Sequence, residues 1–286
     1  MSESQSEEVE NSFPQLVSFI GQTGAGKSTL IKILIQRAQA ESRVRFPSPV
    51  TSSSNDRIAT TGDVHLYAEP SSFSSPTPML FADCEGLNGG IRPGSRPKSR
   101  YSSQRNILWA STPATMKREF SVTQLYPRLL YTFSDVVVFV LRNPRVQHPS
   151  TNLSTSQLCL TEDVDDKEWD INTAMRLLMD DIRSVIRQVP QVEEYARFWR
   201  ENGRTISSTH DLLKCYYASV SVVRVPSPGR YMLMDEQVQE LFELIQRKCE
   251  ESLLNKKRLR MLATAEKLQI DLSCIRPLRS ELDGPF

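Results

Sequence analysis

The sequence predicts an α/β fold: a mostly parallel central sheet flanked by helices, with a helical extension at the C-terminal end. Three observations carry that prediction. The apolar run Leu16–Ile20 leads through a glycine-rich turn into a helix-patterned segment containing Leu30, Ile31, Ile33, Leu34, Ile35 and Ala38. Two further apolar runs, one from Met79 and one from Asp135 to Leu141, read as strands, the second unbroken enough to suit a central parallel strand covered on both faces. From Asp235 the residues Val238, Leu241, Phe242, Ile245 and Cys249 recur at helical spacing, a stripe suited to packing on a sheet.

The turn after the first strand is Gly21-Gln22-Thr23-Gly24-Ala25-Gly26-Lys27-Ser28-Thr29, which satisfies the pattern G-x-x-x-x-G-K-[ST] in its required strand, loop and helix context. Gly21, Gly24 and Gly26 permit backbone angles at which successive N–H groups turn inward around a phosphate. Lys27 supplies a compact positive charge for the β- and γ-phosphates, the Ser28 hydroxyl suits a magnesium ion bridging them, and Thr29 can donate to the α-phosphate. The following helix directs its N-terminus at the anion.

Farther along, Met79-Leu80-Phe81-Ala82-Asp83-Cys84-Glu85-Gly86-Leu87 is an apolar strand ending in D-x-x-G. In a GTPase-like site Asp83 would hold magnesium through water and the Gly86 N–H would meet the γ-phosphate. Between the two motifs, Thr60-Thr61-Gly62 precedes an alternating strand and suits a switch segment whose hydroxyl completes the magnesium shell. Thr60 lies 33 residues after Lys27, and Asp83 lies 23 after Thr60. Those intervals accommodate a helix plus loop and then a β-hairpin, with residues 68–78 as a linker-like loop inside the hairpin.

Thr60-Thr61-Gly62 with Asp83-Cys84-Glu85-Gly86-Leu87 resembles the T-[TK]-G and D-[TS]-E-G-L motifs of guanylate-binding proteins and atlastins, within the dynamin-like GTPases. From about Phe13 to Leu254 the chain is also similar to a fungal family of P-loop, GTPase-like proteins, in features that include Tyr216-Tyr217-Ala218-Ser219-Val220. The resemblance implies a P-loop G domain that binds GTP or GDP with Mg2+. The implied ligands are the loop backbone, Lys27, Ser28, Thr60, Asp83 and Gly86.

The departures are as specific. Guanylate-binding proteins carry an arginine finger inside the loop where Gly24 stands here, and Leu87 replaces the water-orienting glutamine of Ras-like proteins. Arg57-Ile58-Ala59-Thr60 matches the R-x-x-T arrangement by which G-protein α subunits supply an arginine in cis, so Arg57 is a candidate for transition-state charge; a solvated loop arginine is the alternative. No [NT]-K-x-D or R-D base-reading motif follows the strand at Asp135. Arg142-Asn143 follows the wrong strand for that role. Gln157–Leu160 is a thin candidate for the next strand, and Asp163 or Asp165 could read the base or cap the helix expected from Trp169 to Ile186. Residues 144–160 would, on this reading, replace a segment that holds the missing strand in relatives.

The remaining sequence frames this core. Residues 1–12 are polar and acidic and read as disordered, 13–230 as the G-like domain, and 231–286 as the helical extension. Residues 88–118 carry seven Lys or Arg with few acids in the place of a second switch; a solvated loop is the first reading and a protein partner's dock the second. A helix end is expected over Asp211–Tyr217, then a last strand over Ser219–Val225 and a base-covering loop at 226–229. Lys256-Lys257-Arg258-Leu259-Arg260 reads as a solvated face of a helix continuing toward Ile270, with an import signal or lipid contact as alternatives. The net charge of +1 favours no polyanion, and no clear nucleic-acid signal emerges. Cys84, Cys159, Cys215, Cys249 and Cys274 stand singly, without a C-x-x-C pair, and the three histidines do not cluster, so a structural zinc, cysteine redox work and a histidine-based catalytic site are not expected. With no secretory signal and no apolar run of ~20 residues, a soluble cytoplasmic protein is expected. Three functions stay open: a GTPase switch, a P-loop ATPase, and a degenerate G domain that binds nucleotide or a partner without hydrolysis.

Overall fold

The structure, a computed structural model, describes residues 12–39, 44–49, 64–84, 86–87, 125–141, 169–183, 188–226 and 229–267. Strand β1 spans Gln15–Gly21, β2 Val64–Ala68, β3 Met79–Cys84 and β4 Val136–Val140; helix α1 spans Lys27–Gln39 and α2 Tyr126–Phe133. Among the described residues the strands form one mixed sheet in the order β2-β3-β1-β4. Strand β1 is parallel to β3 and β4, and β2 is antiparallel to β3. The fold is therefore α/β, with a mostly parallel sheet flanked by helices. The chain divides into two compact units, Met1–Val140 with Phe242–Phe286, and Leu141–Leu241.

In the first unit β1 is central, and all seven of its residues are buried. Alternation sends Leu16 and Ile20 to one face, where they pack with Ala82, Cys84 and Leu130 of α2. Phe19, on the other face, meets Phe81 edge-on, their ring centroids 5.7 Å apart. Ile31, Leu34 and Ile35 of α1 are fully buried. Helix α1 packs on β1 and β3, so its first turn is fixed beside their C-terminal ends.

The β2–β3 loop is built rather than slack, which corrects the linker-like reading of 68–78. Glu69 is fully buried. Its carboxylate accepts from Ser71 N, Ser71 Oγ and Ser72 N, satisfying a charge that burial would otherwise penalise. At the start of the sheet, Ser12 accepts from Ala265 N.

Two expected strands are corrected. Strand β4 is an edge strand among the described residues and is only partly buried rather than covered on both faces, with Phe139 40% exposed. The thin candidate at 157–160 lies outside the described residues. Ser219–Val225 forms no helix or strand among the described residues, although Val222, Val223 and Arg224 are buried. β-branched residues favour an extended backbone, but a strand also needs a neighbour with free N–H and C=O groups.

The second unit is helical: α3 spans Ile171–Ile182, α4 Pro190–Glu201 and α5 Thr209–Tyr216. Helix α3 starts after the expected Trp169, because Asp170 caps it by accepting from Thr173 N at 2.8 Å, and the expected end at Ile186 lies outside the described residues. Ala196, Ile206 and Leu212 form a small core. Helix α5 opens with a capping box between Ser208 and Asp211. Hydrogen bonds from the Ser207 hydroxyl first, then from Ser208, lower the Asp211 carboxyl from 3.8 to about 2. Because the folded value lies below the unfolded one, this stabilisation is complete above pH 3.8 and disappears as pH falls through about 2. In an acid titration followed by circular dichroism, Asp211→Asn is expected to remove the part of helix loss that falls in that window.

Helix α6 spans Tyr231–Arg258. Val238, Leu241, Leu244, Ile245 and Cys249 are buried, so the apolar stripe is core. Within the first unit Gln15 Nε2 donates to the Cys249 carbonyl at 2.6 Å. The Asp135 carboxylate, 2% exposed, accepts from Leu16 N, Ser252 Oγ and Lys256 Nζ. The helix does not continue toward Ile270. Arg260 takes a left-handed φ of 56°, Arg260 N donates to Lys257 O, and Met261 N donates to Lys256 O. That is a Schellman stop, in which glycine is the usual left-handed residue. Arg260→Gly is accordingly expected to raise stability by about 1 kcal/mol, read as a higher denaturant midpoint with an unchanged slope.

Candidate functional site

The glycine-rich loop sits where β1 runs into α1, and its conformation depends on glycine at two kinds of place. Gly21 has φ +154°, and a Cβ there would lie 2.0 Å from the Val140 carbonyl oxygen of the neighbouring strand. Gly24 and Gly26 have φ of 71° and 97°, a region other residues rarely enter. The turn is closed by Ala25 N donating to Gln22 O, and α1 begins at Lys27, with Leu30 N donating to Gly26 O. The N–H groups of the first helical turn therefore open onto the loop, where their dipoles favour an anion.

Lys27 is 6% exposed. Its Nζ donates to the carbonyls of Gly21 and Gln22, each at 3.0 Å, which fixes the ammonium inside the loop. Ser28 Oγ donates to Asp83 Oδ2 at 2.7 Å. Asp83 is fully buried at the end of β3, in register with Phe19 of β1. Parallel pairing thus carries two residues 55 apart in the chain to one point.

The segment after β3 is bound to the loop. Thr23 Oγ1 donates to Gly86 O at 2.9 Å, Thr23 N donates to Leu87 O at 2.9 Å, and Leu87 N donates to Gly21 O at 3.0 Å. A Cβ on Gly86 would stand 2.4 Å from Thr23 Cα, so only glycine permits this approach. The Thr23 hydroxyl is a partner that sequence reasoning missed, having treated Thr23 only as loop backbone. Tyr67 is another. Burial first, and then the Asp83 carboxylate, raise its phenol above the ordinary value. The signal was present in the β2–β3 pairing, which sets His65 opposite Asp83 and Tyr67 opposite Phe81 on one face.

The structure thus gathers Gly21, Gln22, Thr23, Gly24, Ala25, Gly26, Lys27, Ser28, Asp83 and Gly86. Thr29 follows in the first turn of α1, where it is exposed. Arg57, Thr60, Thr61, Asp163 and Asp165, the loop 88–118 and residues 144–160 lie outside the described residues. Chemically, inward N–H groups with an ammonium can hold a hard anion, and a hydroxyl–carboxylate pair beside them offers the hard oxygen donors a small divalent cation prefers. No protein-family model matches the chain, and no curated protein matches it.

Proposed function

We propose that this chain is a GTP-binding protein of the P-loop, G-domain type, a GTPase in which water attacks the γ-phosphate and the segments around Thr60 and Gly86 report which nucleotide is held. One observation carries the reading: the glycine loop, the enclosed Lys27 ammonium, the Ser28–Asp83 pair and the Gly86 segment converge at the C-terminal ends of two adjacent parallel strands. The loop N–H groups and Lys27 would bind the β- and γ-phosphates. Ser28 and Asp83 fit magnesium by donor type, with Thr60 as the further ligand that the motifs imply. Among the described residues no group of three or more His, Cys, Asp or Glu forms an all-protein cage, so phosphate and water would complete the shell. When bound, magnesium supplies charge neutralisation between the β- and γ-phosphates.

Within the chain, Lys27 orients the phosphates, Gly86 N–H senses the terminal one, and Arg57 is the candidate for charge developing in the transition state. Leu87 cannot orient water, which favours slow intrinsic turnover. The missing [NT]-K-x-D motif supports a second reading, a P-loop ATPase, or a site that binds without turnover. The single cysteines fit action in the cytoplasm, and the basic loop 88–118 is the proposed dock for a protein partner. Among the described residues no helix is long and apolar enough to cross a membrane.

The test is phosphate release from GTP and from ATP, with and without magnesium. The GTPase reading expects magnesium-dependent turnover of GTP. Ser28→Ala is expected to weaken the magnesium requirement's apparent affinity by at least the roughly 10–100-fold that loss of an outer-shell partner costs. Turnover of ATP alone would select the second reading. Magnesium dependence unaltered in Ser28→Ala would remove the site from the account.

A further inference from the structure

We propose that the C-terminal end of α6 is a docking surface for an anionic lipid membrane, formed by Leu254, Leu259 and Met261 together with Lys257, Arg258 and Arg260. This rests on a different part of the molecule from the glycine loop and does not depend on nucleotide binding. The three apolar residues are 67%, 60% and 66% exposed, among the most exposed large hydrophobic side chains described. The stretch 253–265 contains Lys256, Lys257, Arg258 and Arg260 and no acidic residue. Among the described residues Lys256 is the one of these four in a salt bridge, to Asp135 at 2.7 Å.

Geometry gathers these residues. Leu254, Lys257 and Arg258 stand at i, i+3 and i+4, on one side of the helix. The helix then stops, and the left-handed Arg260 turns the chain so that Leu259 and Met261 flank it. In a Schellman stop the apolar residue after the turn ordinarily packs back on the last helical turn. Here the helical position it would meet is Lys256, drawn to Asp135, and Met261 stays exposed.

Cations at a helix C-terminus are explained by the helix dipole alone, but that leaves three exposed large apolar side chains without a role. A lipid interface uses both kinds at once. Leucine and methionine enter the boundary between headgroup and acyl chain while Lys and Arg extend to the phosphates. Nucleic acid would use the cations only, and no residue in 253–265 is aromatic, so no base-stacking platform is present. The charge complement therefore selects anionic lipid.

The experiment is sedimentation of the full chain with vesicles of phosphatidylcholine alone and of phosphatidylcholine with phosphatidylserine. Binding is expected only to the second and should weaken with salt. The triple variant Lys257→Gln, Arg258→Gln, Arg260→Gln should lower affinity on the order of a hundredfold, about fivefold per charge. Leu259→Ser with Met261→Ser should also lower it, with every charge retained. Arg260→Gly separates docking from folding, because it should bind vesicles about fivefold more weakly while being more stable. Equal binding to neutral vesicles, or undiminished binding by the charge or apolar variants, would overturn the proposal. So would tighter binding to a single-stranded oligonucleotide that the apolar variant preserves.

Discussion

Gly21→Ala is expected to destabilise the first unit by about 3–5 kcal/mol, the sum of a backbone conformation open essentially to glycine and an overpacked central strand. The new Cβ would fall 2.0 Å from the Val140 carbonyl oxygen, a rigid ladder atom of β4 rather than a side chain that can swing aside. Relief would require β1 and β4 to separate at the place where the strand delivers its loop. The same change at Gly26 meets nothing within 4 Å, so its cost is the φ of 97° alone. Urea unfolding of the two variants should rank Gly21→Ala well below Gly26→Ala. Equal midpoints would show that the loop is not braced by β4.

Lys27→Ala is expected to abolish nucleotide-dependent stabilisation, with affinity lower by on the order of a hundredfold, the worth of a charged hydrogen-bonding partner of ~3 kcal/mol. It should also cost about 1 kcal/mol of ligand-free stability, since the carbonyls of Gly21 and Gln22 each lose a charged donor but keep Leu87 N and Ala25 N. Melting with GDP and magnesium keeps the two effects apart. At a ligand concentration of 100 Kd the wild type should gain about 2.7 kcal/mol, and the variant almost nothing at that same concentration. A variant whose melting point rises as much as the wild type's would show that Lys27 is a structural lysine.

The sheet and the loop were largely legible in the sequence because each is written in contiguous residues. An apolar run reports burial on both faces of β1, and the spacing of Gly21, Gly24 and Gly26 reports backbone geometry. The Ser28–Asp83 meeting also followed from local signals, since each residue sits at the end of its own apolar element. Contacts across the chain were less legible. Thr23 and Gly86 are 63 residues apart, and nothing in the composition of either segment marks a hydrogen bond between them. The position of β4 was hidden for a related reason: Val136–Val140 has the same apolar run whether or not another strand lies beyond it. Ser219–Val225 has strand-forming residues but joins no sheet among the described residues, and α6 ends where an arginine occupies the place that a glycine would have announced. The base-reading element was not legible at all, because no familiar motif is present and its candidates, Asp163 and Asp165, lie outside the described residues.

The most direct measurement is calorimetric titration of the full chain with GDP and with ADP, each in magnesium, beside the same titrations of Lys27→Ala. A guanine-nucleotide G domain predicts saturable heat with GDP at one site, far weaker binding of ADP, and loss of the GDP signal in Lys27→Ala. Heat with neither nucleotide, or GDP binding that survives Lys27→Ala unchanged, would contradict it.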